Sequence, residues 1–142
     1  MKTAGSVLKV LAGLFFAAAT FWPIQMPAQE QQAGDDSKSQ TEVYYFHFTH
    51  RCATCMAVER ESKEALKALY PGQMESGEMT FLSVNLDEPT NEALARRLKV
   101  SGQTLLILKN GKRKDLTNTA FLYARTNPEK LKKAIGKAIE NM

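Results

Sequence analysis

Scarcity bounds this sequence of 142 residues before anything present in it does. Two cysteines are too few for a multi-bridge secreted scaffold, in which several pairs replace a missing core. They suffice for one disulfide, one redox couple or half a metal site. A surplus of one charge is missing too: Lys plus Arg is 19, Asp plus Glu is 15, and Lys2 and Lys9 account for two of the cations. Nineteen less those two, against 15, leaves +2. That excludes a nucleic-acid binder working through a basic field, because such binding scales with the phosphates neutralised. At 15.8 kDa, with 44% hydrophobic and 24% charged residues, there is room for one globular domain plus an extension and not for a second full domain. No internal repeat is present.

Charge is absent altogether from residues 10–29, which follow Lys2 and Lys9 and contain the apolar run Val10-Leu11-Ala12-Gly13-Leu14-Phe15-Phe16-Ala17-Ala18-Ala19. A charged start followed by an apolar run of this length reads as a secretion signal over residues 1–28, and Pro23 and Pro27 disfavour a continuous spanning helix. Ala28 is a candidate cleavage point, although Met26 is larger than a signal peptidase usually accepts, so retention as an N-terminal anchor is the alternative. No cysteine follows the run, which excludes a lipoprotein anchor. The expected location is the periplasm or cell envelope, with membrane contact only through an uncleaved N-terminal segment. Residues 29–41 contain no large apolar side chain and are expected to be a flexible polar linker, leaving 42–142 as the folded domain.

Within that domain, Val43-Tyr44-Tyr45-Phe46-His47-Phe48 is β-branched and aromatic, as in a strand covered on both faces. Val58, Ala65, Leu66 and Leu69 recur at helical spacing up to Pro71-Gly72, which predicts a helix from Cys52 or Ala53 to about Tyr70. Residues 79–86 alternate as a second strand, with Leu82, Val84 and Leu86 opposite Phe81, Ser83 and Asn85. After Asp87-Glu88-Pro89 a helix is expected through about Lys99, with Leu94 and Leu98 one turn apart, and a buried strand at 104–108. Asn110-Gly111 signals a tight hairpin into residues 112–117. Asn127 and Pro128 open a last helix carrying Leu131, Ile135 and Ile139 on one stripe. The order β-α-β-α-β-β-α demands a parallel crossover followed by an antiparallel pair. The expectation is therefore an α/β mixed sheet with helices on both faces.

The chemistry sits at Cys52-Ala53-Thr54-Cys55, where strand gives way to helix. Residues three apart at a helix start lie close enough to bridge, and the free N–H groups and dipole there favour a thiolate. Arg51, and His50 when protonated, add positive charge beside the first thiol. An inert structural disulfide is the bland alternative, though so short a loop constrains the unfolded chain only modestly. His47-x-x-His50-x-Cys52-x-x-Cys55 also offers four ligands of the kinds that hold zinc or copper(I). Strand alternation can turn His47 away from the thiols. A c-type haem is excluded because Met56, not His, follows Cys55.

The segment from Val43 to Cys55, the strand end Asn85-Leu86-Asp87, Thr104-Leu105-Leu106-Ile107-Leu108-Lys109-Asn110-Gly111 and the last helix together resemble a thioredoxin-fold protein over essentially the whole domain. Within that superfamily, residues 46–55 and Asn85-Leu86-Asp87-Glu88-Pro89 are similar to small exported proteins labelled nitrophenyl compound nitroreductase subunit. Nothing in the chain resembles a flavin or nicotinamide site, so any nitroreduction would depend on a partner. The thioredoxin resemblance implies thiol–disulfide exchange on a protein substrate or redox partner, without cofactor, with Cys52 attacking and Cys55 resolving.

The chain departs from the thioredoxin pattern in three places. Arg51 stands where Trp is usual, and Ala53-Thr54 where Gly-Pro is usual. Phe46 occupies the register of the buried acid that accepts a proton, leaving Glu59, His47 or His50 as substitutes. Gln103, just before Thr104, takes the place of the cis-proline that faces the thiols, which alters the usual groove and opens the thiols to metal. Cys52 to Glu59 also resembles the metal loop of copper chaperones, but that fold needs two hairpin strands directly after its first helix. A thioredoxin-like binding module without redox turnover is a further alternative. Lys112-Arg113-Lys114 and Lys130, Lys132 and Lys133 read as a solvated hairpin edge and helix face rather than a site for an acidic partner.

Overall fold

The aromatic run predicted to be covered on both faces is strand β1 (Thr41–His47), and it lies inside the sheet. The computed structural model describes residues 40–142; the expected signal segment and nearly all of the expected linker lie outside them. β1 pairs in parallel with β2 (Met79–Asn85), from Thr41 opposite Met79 to His47 opposite Asn85. On its other side it pairs antiparallel with β3 (Thr104–Lys109), which continues antiparallel into β4 (Lys112–Asp115). The sheet order is β2-β1-β3-β4, mixed as expected. Asn110 and Gly111 both adopt positive φ, 51° and 72°, which is why this pair can close the hairpin without splaying the strands.

Alternation along β1 divides the core. Val43 and Tyr45, with Leu105 and Ile107, face helices α1 (Ala53–Leu69) and α5 (Pro128–Glu140), whose Val58, Leu66, Leu131 and Ile135 are fully buried against them. Tyr44, Phe46 and Leu106 face the opposite side and pack on Leu94, Ala95, Leu98 and Val100. These lie in and just after the short helix α3 (Glu92–Arg97). Asn127 caps α5 as its position predicts, its side chain accepting from the Lys130 N–H at 3.1 Å.

Four local expectations are corrected. Thr41, assigned to the linker, already belongs to β1: its N–H donates to the Glu78 carbonyl at 2.8 Å and it is buried. Pro71 ends α1 but also opens another helix, α2 (Pro71–Ser76), because a first helical position needs no N–H. The single helix expected after Pro89 through Lys99 is a 3-10 turn (Pro89–Asn91) followed by the short α3. Residues 112–117 are not all strand: β4 stops at Asp115, and α4 (Thr117–Tyr123), which has no counterpart in the sequence reading, follows. Its Thr, Asn and aromatic composition is poor for a helix. A local turn and a tertiary contact fix its start instead: Asp115 Oδ1 accepts from the Thr117 N–H at 2.8 Å, and Thr117 Oγ1 accepts from the Leu105 N–H at 3.0 Å.

Candidate functional site

Four residues carry the chain from the end of β1 to the cysteines, and the end of β2 holds them in place. The Leu86 N–H donates to the His47 carbonyl at 2.7 Å, extending the parallel pairing by one step. The Thr49 N–H donates to Asp87 Oδ2 at 2.7 Å, and Asn85 Nδ2 donates to Thr49 Oγ1 at 3.0 Å. Hydrogen bonds from the Thr49 backbone and side chain hold the Asp87 carboxyl below its ordinary range, and the His50 and His47 charges add to the effect. Asn91 Nδ2 in turn donates to the Asn85 carbonyl at 2.9 Å. The positioning roles of Thr49, Asn85 and Asp87 were missed in the sequence. The available signal was the pair of short polar side chains at a strand end facing a cysteine-bearing loop.

Cys52 is the N-cap of α1, with extended backbone, and its Sγ accepts from the Cys55 N–H at 3.1 Å. The first turn of α1 carries no acidic side chain to compete for the helix dipole. Cys52 is exposed, whereas Cys55 is only 3% exposed. The two form a disulfide with their Cα atoms 5.1 Å apart. One sulfur therefore meets solvent at the helix start, while its partner is packed a turn inside.

Arg51, expected beside the Cys52 thiol, sends its guanidinium to Glu59 two turns into α1. The pair is partly buried, and the guanidinium carbon also lies 5.8 Å from the centroid of the Tyr45 ring. Burial pushes the Glu59 carboxyl up, but hydrogen bonds from Arg51 and Ser83 and the charges of Arg51 and His47 outweigh it and leave it lowered. Burial pushes the Tyr45 phenol up to about 12 against the pull of Arg51, so it stays neutral. Arg51 Nε and the Tyr45 hydroxyl are buried without a hydrogen bond of good geometry.

Gln103 reaches the site. Its Oε1 lies 3.4 Å from Cys55 Sγ, so the residue expected in place of the cis-proline touches the inner sulfur with its side chain. Thr104 Oγ1 donates to the Gly102 carbonyl at 2.9 Å and shapes the turn that delivers Gln103. Beside these two residues a polar depression of about 530 Å³ extends to Thr117, Asn118 and Thr119 at the start of α4.

The structure sets the two histidines in different surroundings. His47 is buried at the end of β1, its Nδ1 2.9 Å from the Phe48 carbonyl and its ring tilted against Tyr45. His50 is exposed in the loop. Among the described residues no three His, Cys, Asp or Glu side chains gather as a metal-binding group. The basic residues of β4 are exposed on the sheet edge. No helix among the described residues is long and apolar enough to cross a membrane.

No family model matches the chain, and neither does any curated protein. Solved structures are similar. Thioredoxin O2 from Arabidopsis thaliana, in its oxidized state, is 23% identical over 71% of this chain and 76% of that one, with a TM-score of 0.50. Thioredoxin-2, a component of the malaria parasite protein secretion machinery, is 26% identical over 70% of this chain and 84% of that one, with a TM-score of 0.46. The germline-specific thioredoxin Deadhead from Drosophila melanogaster is 23% identical over 70% and 81%, with a TM-score of 0.45. The likeness to the Arabidopsis protein is one of fold, and with the sheet order β2-β1-β3-β4 it identifies the described part of this chain as a thioredoxin fold.

Proposed function

We propose that this protein is a thiol–disulfide oxidoreductase that acts on protein thiols or disulfides, with Cys52 as the attacking and Cys55 as the resolving sulfur. The observation that carries the reading is the asymmetry of the pair: Cys52 is exposed at the N-cap of α1 and Cys55 is buried a turn inside. In the reducing direction, the Cys52 thiolate attacks one sulfur of a substrate disulfide. That bond breaks, the departing substrate sulfur takes a proton, and a mixed disulfide to Cys52 remains. Cys55 then gives up its proton and attacks Cys52 Sγ. The second substrate thiol is released, leaving the Cys52–Cys55 disulfide for a thiol partner to reduce. The oxidising direction is the reverse. The polar depression beside Gln103 and Thr104 is the surface a substrate segment crosses on its way to Cys52.

The setting we propose is the periplasm or cell envelope, supported by Lys2, Lys9 and the uncharged apolar run after them. Cell fractionation tests it; a wholly cytosolic protein would reject export. The nitroreductase-subunit label gains no support from the comparisons, and thiol exchange does not depend on it. The decisive test of function is turnover of a protein disulfide such as insulin with dithiothreitol as reductant. Acceleration that is lost in Cys52→Ser is expected. A disulfide that resists dithiothreitol, or equal rates with and without the protein, would favour a non-catalytic binding module.

A further inference from the structure

Arg51 directly precedes the exposed sulfur, yet its charge is committed elsewhere. A guanidinium this close to a helix N-cap would ordinarily stabilise the thiolate formed there on reduction. Here it turns inward to Glu59, with the Tyr45 ring beside it. Its Nε–H is buried without a hydrogen bond of good geometry, on the side of the guanidinium that meets Tyr45, while Glu59 holds the other. Glu59 is itself held from the sheet side by Ser83 and lies in the field of His47. Tyr45 and His47 from β1 and Ser83 from β2 face the pair, and Cys55 lies one turn before Glu59 along α1. His50 and Asp87 flank the loop outside it.

We propose that Glu59 is a positioning residue for the redox pair: by holding Arg51 inward it withholds that cation from Cys52, and so keeps the disulfide harder to reduce than its helix-cap position alone would make it. The inference deepens the thiol–disulfide reading and rests on it. Reduction by glutathione breaks the Cys52–Cys55 bond with two electrons and two protons, supplied as two glutathione thiols become one glutathione disulfide. The Cys52 thiol then releases its proton in proportion to its acidity. Freeing Arg51 stabilises that thiolate and pulls the equilibrium toward the reduced form.

The experiment is equilibration of the full chain in glutathione buffers, scored by alkylation, together with the pH dependence of Cys52 alkylation. Glu59→Gln is expected to raise the equilibrium constant for reduction about fivefold to tenfold, a tenfold change being about 30 mV for this couple. Arg51→Gln alone should change it less than twofold, because Glu59 already holds that cation away from Cys52. Two controls separate positioning from the carboxylate's own charge. Glu59→Asp keeps the charge but shortens the reach, and is expected to shift the constant in the same direction as Glu59→Gln. In an Arg51→Gln background, Glu59→Gln should have less than half its effect. An equal shift in both backgrounds, or no shift in Glu59→Asp, overturns the proposal. Glutathione equilibration needs no protein substrate, so a chain that equilibrates but turns over no protein disulfide sinks the function and leaves this measurement standing.

Discussion

Gln103 Oε1 stands 3.4 Å from Cys55 Sγ, bringing the turn before β3 against the first turn of α1 across 48 positions of chain. In the disulfide this contact contains no hydrogen. On reduction the Cys55 thiol donates to the amide oxygen, so the reduced form gains a hydrogen bond that the oxidised form lacks. Thiols are weak donors, which sets the gain near the low end of about 0.5–1.5 kcal/mol. Gln103→Leu should therefore shift the glutathione equilibrium about twofold to threefold toward the disulfide. An unchanged equilibrium would show that the contact has no energetic role.

The exposure of the two sulfurs predicts which of them captures substrate. Cys55→Ser leaves Cys52 free to attack and removes the group that resolves the adduct, so mixed disulfides with partners should accumulate. Cys52→Ser leaves only a buried thiol and should trap few. Recovery of adducts from both variants, with alkylation of the reduced protein across a pH series, checks the assignment. Preferential alkylation of Cys55 would reverse it.

Scaffold and site should separate in energy. Ile135 on α5 is fully buried against α1 and the sheet, far in sequence from the cysteines. Ile135→Ala removes buried methyl groups and leaves a cavity, at a cost of about 2–5 kcal/mol. Urea denaturation should register that loss while the glutathione equilibrium stays within about twofold of wild type. A comparable shift in both would show that α5 packing bears on the redox pair directly.

The sheet was legible because its strands are written in buried side chains. A run such as Val43-Tyr44-Tyr45-Phe46 has few alternatives to a central strand, and Asn110-Gly111 has few alternatives to a tight hairpin. The cysteine pair was legible for the same reason: strand, then helix, fixes a helix start at Cys52. The short helices were not. α4 has a single fully buried residue, Ala120, and a composition that favours other states, so its existence depends on Asp115, Thr117 and Leu105 meeting in space. The destination of Arg51 was hidden as well. Neighbourhood in sequence suggested the thiol, whereas the helix carries Glu59 back beneath the loop, where its carboxylate pairs with the guanidinium. Gln103 was found by position in the pattern; its contact with Cys55 needed the fold.

Acid should loosen the site through its two carboxylates. Glu59 and Asp87 both have lowered pKa values in the folded protein: Glu59 because its Arg51 and Ser83 bonds outweigh burial, Asp87 because of Thr49. A carboxyl with a lower folded than unfolded pKa binds fewer protons in the folded state. Its contribution to stability is therefore fully present above the unfolded value and is lost as pH falls through the folded one. The unfolded references are 4.5 for Glu59 and 3.8 for Asp87, so the decline begins as pH approaches 4.5 from above and steepens below it. Asp87 is fully exposed and holds the loop locally. Asp87→Asn should chiefly lower the protection of the Thr49 amide against hydrogen exchange at neutral pH and make what protection is left, relative to the unprotected chain, insensitive to acid. Glu59→Gln should lower stability at pH 7 and flatten the fall between pH 5 and pH 3. Urea midpoints across that range, measured at low and moderate salt, check it. A Glu59→Gln curve parallel to wild type would show that Glu59 titrates alike in the folded and unfolded chain.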